Sequence, residues 1–291
     1  NFALSTGAAL AFYGTLYLLT TIGTLLYVSS QNALLAVIGR ENDDRIKLSA
    51  RRVQMISIAS IVGGLIIMPM IIFFGGDNQA RGFSITAIIF AVIMVIGYLL
   101  MAWYAKPFVD AIPKEAQKVV TFKEMAQQVF SNRHLLILLL AEVARMSARF
   151  SIFGLAVYYF KYVAQNMLMV ATFFTTISVA ILIGSFAGEF VARRTSKKTT
   201  YIGGLIVMVL FLVGAYLFAG GNAMTFIGCF AVAIFGLGIA NAVPLSLYAD
   251  TADYSEWKTG KNAKGIVMAL YNFPLKFALA VSSALVGFGL A

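Results

Sequence analysis

Three charged residues in one apolar stretch have a spacing that could bring them together. Glu142, Arg145 and Arg149 are three and four residues apart, so a helix displays all three on one face. A charged side chain at the centre of a membrane helix costs roughly 2.5–3.5 kcal/mol, so such residues face a bundle interior or a wet cavity. We expect either a structural pair of Glu142 with Arg145 or a site for a polar or anionic solute.

A second charged residue lies near the middle of the last apolar stretch. Lys276 has no acidic residue in its own predicted helix with which to pair. Tyr271 and Asn272 lie nearby, together with Pro274, which frees a backbone carbonyl. An aromatic ring and an amide can stack on or hydrogen-bond a polyol, but a kinked packing helix would carry the same residues. Lys276, Tyr271 and Asn272 are therefore candidate solute-binding residues.

The composition places these charges in a membrane protein. The chain has 291 residues, of which 60% are hydrophobic and 12% are charged, whereas soluble domains are about 25% charged. This composition excludes a disordered or disulfide-stapled secreted protein, and the one cysteine lies in an apolar run. Eight apolar stretches are long enough to cross a bilayer as helices, which takes about 20 residues. They lie at about 8–38, 53–74, 83–104, 135–160, 168–190, 201–219, 223–247 and 265–290.

The basic residues give the orientation of these helices. Most of the 22 lysines and arginines lie in loops on one side, whereas the opposite loops carry only Arg81 and Lys161. By the positive-inside rule the first side is cytoplasmic, so both chain ends face outside. The net charge of +10 follows from this topology, and we expect no nucleic-acid partner. Because the chain begins with Asn1 and stops within an apolar run, we expect a fragment of a longer transporter or channel.

A polar segment divides the apolar stretches into two groups. Residues 106–134 contain prolines and mixed charges, which is typical of a cytoplasmic linker with an amphipathic helix. The predicted organisation is an N-terminal half at 1–105 with three transmembrane helices, the linker at 106–134, and a C-terminal half at 135–291 with five. Secondary transporters are commonly built from repeated halves that hold the substrate at their interface.

Two acidic clusters face the predicted cytoplasm. The first contains Glu41, Asp43 and Asp44, and the second contains Asp250, Asp253 and Glu256. Such clusters could hold Mg²⁺ and a diphosphate, as in intramembrane prenyltransferases, but lysines and arginines crowd both loops. The alternative is an electrostatic latch in which Arg45, Arg51 and Arg52 meet the second cluster and close the cytoplasmic mouth. We also expect Glu189 to pair with Arg193, four residues further along its own helix.

Five motifs along the chain resemble segments of one transporter family. DTADYSEWKTGKNAKG at 250–265 and YNFPLKFALAVSSALVGFGL at 271–290 are similar to the region around that family's penultimate helix. RENDDRIKLSARR at 40–52, GEFVARRTSKKTTYIGG at 188–204 and YYFKYV at 158–163 resemble three further segments. The family is the glycoside–pentoside–hexuronide:cation symporters, the melibiose-permease-like branch of the major facilitator superfamily. The resemblance implies an all-α, polytopic membrane bundle of two pseudo-repeated halves, of which this chain holds helices four to eleven of twelve.

The resemblance also implies roles for particular residues. Lys276 matches the family's lysine linked to sugar and cation coupling, and Arg52 matches an arginine that contacts sugar. Arg45 matches a gate arginine, with Asp250, Asp253 and Glu256 as its acidic counterparts. Val28 and Asn32 stand where melibiose permease has a sugar-binding aspartate and tryptophan. Together with Arg149 and Lys276, this difference favours an anionic glycoside such as a hexuronide.

We therefore predict a secondary active transporter, and not an enzyme, that couples Na⁺ or H⁺ to symport of a sugar, glycoside or hexuronide by alternating access. The predicted substrate-binding residues are Lys276, Arg52, Arg149, Asn272, Tyr271, Asn32 and Glu142, and the predicted cytoplasmic gate consists of Arg45, Asp250, Asp253 and Glu256. We expect a monomeric, multi-pass protein of the bacterial inner membrane, with no metal site and no cofactor besides the coupling ion. The alternatives are a major-facilitator carrier for a lipid or another organic anion, the prenyltransferase, and a non-transporting membrane scaffold.

Overall fold

The computed structural model describes residues 6–39, 41–76, 78–110, 129–166, 169–220, 222–260 and 264–289. In chain order its helices are α1 (Thr6–Ile38), α2 (Asn42–Gly75), α3 (Gln79–Asp110), α4 (Arg133–Tyr158), α5 (Met169–Arg194), α6 (Lys197–Phe218), α7 (Ala223–Asn241), α8 (Pro244–Thr259), α9 (Lys264–Ala269) and α10 (Phe273–Gly289). A π-helical turn, Tyr159–Val163, ends α4, and a 3₁₀ turn, Leu270–Asn272, joins α9 to α10. These ranges contain no strand, and the all-α prediction is confirmed. The amphipathic helix predicted within 106–134 lies largely outside the described residues.

Seven helical stretches in the described ranges are long and apolar enough to cross a membrane. They are Leu10–Leu35, Asn42–Gly75, Gln79–Val109, Met169–Arg194, Lys197–Phe218, Ala223–Thr259 and Lys264–Phe288. The remaining predicted span is helical as α4, and its 26 residues would reach about 39 Å. This length is sufficient to cross the hydrocarbon. Helix α4 differs from the other seven stretches in its charge, because Glu142, Arg145 and Arg149 fall within its apolar run.

Two segments that the sequence indicates as charged loops are helical in the structure. Helix α2 begins at Asn42, well before the predicted span at 53–74, and α8 continues through the second acidic cluster to Thr259. The 34 residues of α2 extend about 51 Å, whereas the hydrocarbon core is about 30 Å thick. Its charged first turns therefore project beyond the hydrocarbon. Charge marks where the hydrocarbon ends, but lysine, arginine and glutamate are good helix formers and do not end a helix.

The last two predicted spans are each interrupted. Between α7 and α8 the helix breaks at Ala242 and Val243, and Pro244 is the first residue of α8. Between α9 and α10 the 3₁₀ turn intervenes, and Pro274 is the second residue of α10. Proline is tolerated in the first turn of a helix because the missing N–H has no intrahelical partner there. The second interruption places Tyr271 and Asn272 in the 3₁₀ turn.

The chain folds as two compact units that are each assembled from separate segments. The first unit comprises Asn1–Ala36, Val119–Phe150 and Tyr248–Ala291, and the second comprises Val37–Lys118 and Ser151–Leu247. The second unit thus includes helices from both sides of the predicted linker. The predicted division at 1–105, 106–134 and 135–291 follows the order of the sequence and stays a prediction.

Glycines permit close helix packing in the second unit, where α7 contacts both α5 and α6, and α2 contacts α3 and α5. A Cβ atom on Gly204 of α6 would lie 2.6 Å from the carbonyl oxygen of Gly236 in α7. A Cβ atom on Gly238 of α7 would lie 2.6 Å from the carbonyl oxygen of Ile181 in α5. Small residues at helix contacts let backbones approach closely, which drives association where lipid tails remove the hydrophobic effect.

We predict that Gly204→Ala destabilises the protein, whereas Gly203→Ala does not. A Cβ atom at Gly203 meets nothing within 4 Å, so the two variants add the same methyl group at neighbouring positions of α6 with different surroundings. Overpacking at Gly204 should lower the free energy of unfolding by about 1–3 kcal/mol. Unfolding of the detergent-purified variants measures this difference, and equal stabilities would contradict the packing described here.

Candidate functional site

Helix α4 carries a buried ion pair in the first unit. Arg145 donates from Nε to Oε1 of Glu142 at 2.9 Å and from Nη2 to Oε2 at 2.6 Å. The two side chains are 3% and 1% exposed. A bidentate arginine–carboxylate contact of this kind is among the stronger pairings in proteins and offsets part of the cost of desolvation. Spacing in the sequence had indicated this pair as one of two interpretations of Glu142.

Arg149 lies one turn further along α4 and is half-buried. Its guanidinium carbon is 5.8 Å from the centroid of the Phe150 ring. It is close enough to Arg145 and to Tyr271 for electrostatic interaction with both. This part of α4 therefore contains two guanidinium groups and one carboxylate.

Asn32 on α1 and Asn272 in the 3₁₀ turn meet in the first unit, although 240 positions separate them in the sequence. Nδ2 of Asn32 donates to Oδ1 of Asn272 at 3.5 Å, and the residues are 0% and 8% exposed. Oδ1 of Asn32 and Nδ2 of Asn272 have no hydrogen-bond partner within the described ranges. A buried polar atom left in this state costs about 1–3 kcal/mol. The amide pair thus offers one acceptor and one donor to a ligand.

Tyr271 is a neighbour of both features. It precedes Asn272 in the 3₁₀ turn and interacts electrostatically with Arg149. Its ring meets the ring of Tyr248 edge-on, with centroids 5.3 Å apart and planes at 78°. The structure therefore brings Asn32, Arg149, Tyr271 and Asn272 into one group, with Glu142 joined to it through Arg145.

Two predicted substrate-binding residues are not placed in this group. Lys276 lies four residues beyond Asn272 on α10, and its side chain is exposed. Arg52 lies on α2 in the second unit and is half-buried. The predicted contacts of both residues with solute stay predictions.

The predicted gate residues fall in both units. In the first unit Lys264 binds Asp253 at 3.2 Å and Glu256 at 3.1 Å, and Asp250 is half-buried nearby on α8. In the second unit Arg45 donates from Nε to the carbonyl oxygen of Gly39 at 2.8 Å. The latch that would join Arg45 to the acidic cluster stays a prediction.

A polar contact between α2 and α5 was not evident from the sequence. Gln54 donates from Nε2 to Oε2 of Glu189 at 3.0 Å, and Arg51 donates to Oε1 of Gln54 at 2.9 Å. Arg193 binds Asp43, with Nε and Oδ1 2.5 Å apart. The expected pairing of Glu189 with Arg193 is therefore wrong, because each residue finds its partner on α2. The one signal in the sequence for the contact of Gln54 with Glu189 was a glutamine at the start of an apolar run.

We predict that Gln54→Ala destabilises the protein more than Asp43→Ala does. Gln54 and Glu189 are buried, so removing the amide leaves a buried carboxylate without that donor, at a cost of about 1–3 kcal/mol. The side chains of Asp43 and Arg193 are 41% and 45% exposed, and such pairs contribute less than about 1 kcal/mol. Unfolding of both purified variants tests the order, and a larger effect of Asp43→Ala would contradict it.

Comparison with known proteins gives the family. The whole chain, residues 1–291, matches the family described as MFS/sugar transport protein, and the chain belongs to this family. It is 31% identical, over 97% of its length, to a putative sulfoquinovose importer of Escherichia coli K12, and covers 61% of that protein. It is 27% identical to a putative 2,3-dihydroxypropane-1-sulfonate exporter of the same organism, with 89% of this chain and 55% of the exporter covered. It is 25% identical to the isoprimeverose transporter of Lactiplantibacillus pentosus, with 92% and 57% covered.

The family assignment decides between the broad classes that the sequence left open. The predicted major-facilitator membership and the multi-pass membrane location are confirmed, and the chain falls outside the enzymes considered. The chain spans 61%, 55% and 57% of the three relatives in turn. The activity and the substrate are therefore taken up as proposals.

Proposed function

We propose that the protein is a cation-coupled symporter for a small anionic sugar or polyol derivative that carries a sulfonate or a carboxylate. The observation that carries this proposal is the grouping of Arg149 with the buried amide pair of Asn32 and Asn272 around Tyr271. One end of this group suits an anion and the other suits a hydroxyl.

The anionic end of the solute would bind Arg149. A guanidinium group presents a planar fork of donors that matches a carboxylate or a sulfonate, and it keeps its charge under all ordinary conditions. Arg145 of the same helix is already paired with Glu142. A solute anion would interact with Arg149 in surroundings where attraction between charges is stronger than in water.

The neutral end of the solute would bind the amide pair. A sugar hydroxyl both donates and accepts a hydrogen bond. It could therefore donate to Oδ1 of Asn32 and accept from Nδ2 of Asn272, the two buried atoms without partners. An apolar solute would leave both atoms unsatisfied, so the pair favours a hydroxylated one.

The names of the relatives agree with this combination of groups. The importer is named for sulfoquinovose and the exporter for 2,3-dihydroxypropane-1-sulfonate, and both compounds carry hydroxyls and a sulfonate. Isoprimeverose is a neutral disaccharide, so its transporter supports only the hydroxyl-binding end. We favour the anionic class because α4 supplies the cation.

Transport by alternating access would require the cytoplasmic mouth to open and close. Helices α2 and α5 come from opposite sides of the predicted linker and are joined by the contacts of Gln54 with Glu189 and of Asp43 with Arg193. These contacts would hold the mouth closed alongside the predicted latch of Arg45. The proposal also keeps Lys276 and Arg52 as solute or coupling residues, on the resemblance described above.

We predict that Arg149→Gln strongly lowers transport of the anionic solute. Removing one partner of a desolvated charge pair costs about 2 kcal/mol or more, so kcat/KM should fall at least about 30-fold. Uptake of labelled sulfoquinovose and of a glucuronide into proteoliposomes containing the full-length protein measures this. Arg81→Gln removes an exposed arginine at the start of α3 and serves as the control. Undiminished uptake by Arg149→Gln would remove the anion site from the proposal.

We predict that Asn32→Ala and Asn272→Ala each raise KM about 10-fold, since each removes one hydrogen bond to the same hydroxyl, worth about 1.4 kcal/mol. The double variant should lose little more than either single one, because the two residues share one partner. Asn166→Ala removes an exposed amide and is the control. Additive effects on uptake would argue against a shared hydroxyl.

A further inference from the structure

We propose that the cytoplasmic half of α5 binds an anionic phospholipid of the cytoplasmic leaflet, such as phosphatidylglycerol, and that Arg194 and Arg51 hold its phosphate. Exposed apolar side chains on the same face of α5 would contact one acyl chain. This inference is independent of the proposed function, because it concerns a surface of the second unit and not the group around Arg149 in the first.

Helix α5 has one packed face and one exposed face. Gly184 and Gly188 lie on the packed face, where an added Cβ atom would overlap the backbone of α7. The exposed face contains positions that are three or four residues apart, and these are Val179, Ile183, Phe186, Phe190 and Arg194. Such spacing places side chains in one row along a helix. The row therefore has four apolar residues and ends in an arginine on the predicted cytoplasmic side.

Two arginines lie over the phenyl rings of this row. The guanidinium carbon of Arg194 is 4.1 Å from the centroid of Phe190. That of Arg51, on the neighbouring helix α2, is 5.9 Å from the centroid of Phe186. A guanidinium group that stacks on a ring keeps the donors at its edge directed outward, where a phosphate can accept hydrogen bonds from them. The apolar row and the positive charge are thus parts of one surface.

The charge of Arg194 is not neutralised by a carboxylate of the described ranges. Lys198, in the first turn of α6, adds a further exposed positive charge close by in the sequence. Arg193 differs from Arg194, because it binds Asp43, which also binds Lys47. Basic residues on the cytoplasmic side of membrane helices attract anionic lipids and bind their head groups. Arg194 is therefore the main candidate for contact with the phosphate.

The length of the row fits one leaflet of a bilayer. Val179 and Arg194 are 15 residues apart, which corresponds to about 22 Å along a helix axis. A bilayer with its head groups is about 40–45 Å thick, so one leaflet is about 20–22 Å thick. A lipid whose phosphate binds Arg194 would therefore extend an acyl chain along Phe190, Phe186 and Ile183.

Charge favours a lipid over a further helix as the occupant of this face. By the positive-inside rule, another helix of the same protein would bring lysines and arginines to the cytoplasmic side, and these would repel Arg194. An anionic phospholipid combines an apolar chain with a negative head group, so it complements both parts of the row. A zwitterionic phospholipid would complement the apolar part alone.

The first test measures binding of phosphatidylglycerol to the purified full-length protein by native mass spectrometry. We expect Arg194→Gln to weaken binding of the first lipid about 5-fold, which is the usual effect of one basic residue near anionic lipid. Arg133→Gln removes an exposed arginine at the start of α4, on the same predicted side of the membrane, and should bind as the wild type does. Binding by Arg194→Gln that equals wild-type binding, or equal losses in both variants, would overturn the inference.

The second test identifies the occupant of the row directly. The photo-cross-linking residue benzoylphenylalanine replaces Phe190 in the full-length protein, in proteoliposomes with equal amounts of phosphatidylglycerol and phosphatidylcholine. We expect adducts with phosphatidylglycerol to exceed those with phosphatidylcholine about 5-fold. The same replacement of Phe211, which is exposed on α6, should give adducts with both lipids in equal amounts. Cross-links from position 190 to the protein itself would assign the row to a helix, and equal adducts with both lipids would remove the role of the arginines. Either result would contradict the proposed site.

Discussion

The structure depends on the inability of hydrocarbon to form hydrogen bonds. A backbone or side-chain polar group inside a bilayer must find its partner within the protein, because lipid tails supply none. Helices meet this requirement for the backbone, which is why a chain that is 60% hydrophobic folds as long helices. Side chains meet it in pairs, as with Glu142 and Arg145 on one helix or Gln54 and Glu189 on two. A polar residue within a span therefore indicates a partner or a binding site, since burying it without a hydrogen-bond partner costs free energy.

Close contact between backbones does the work that hydrophobic burial does in a soluble core. Helix α7 packs against α5 and α6 at glycines, where a single added carbon would lie 2.6 Å from a neighbouring carbonyl oxygen. The polar contacts between α2 and α5 lie nearer the charged ends of those helices. The two kinds of contact have different consequences. Steric fit at glycines requires a close approach of two backbones, whereas exposed ion pairs such as Asp43 with Arg193 can exchange partners at low cost.

The sequence predicted the parts of this structure that depend on local pattern. The helix predicted at 168–190 is α5, Met169–Arg194, and the pair of Glu142 and Arg145 followed from a spacing of three residues. The start of α2 at Asn42 was missed because charge reports the edge of the hydrocarbon and not the end of a helix. The contacts of Gln54 with Glu189 and of Asn32 with Asn272 were also missed, since 135 and 240 positions separate the partners. Such pairings depend on how helices pack, which one sequence does not reveal.

Whether a buried polar group is satisfied separates structural residues from candidate functional ones in this protein. Gln54 donates to Glu189 and accepts from Arg51, so its buried amide has a partner at both of its ends. Asn32 and Asn272 share one long hydrogen bond and leave one buried donor and one buried acceptor without a partner among the described residues. These two atoms lower the stability of the folded protein. Arg149 adds a guanidinium group close to Tyr271. A solute hydroxyl would remove the cost at the two amides when it binds, and an apolar solute would not. The same groups that make the empty site unfavourable would therefore also select its substrate.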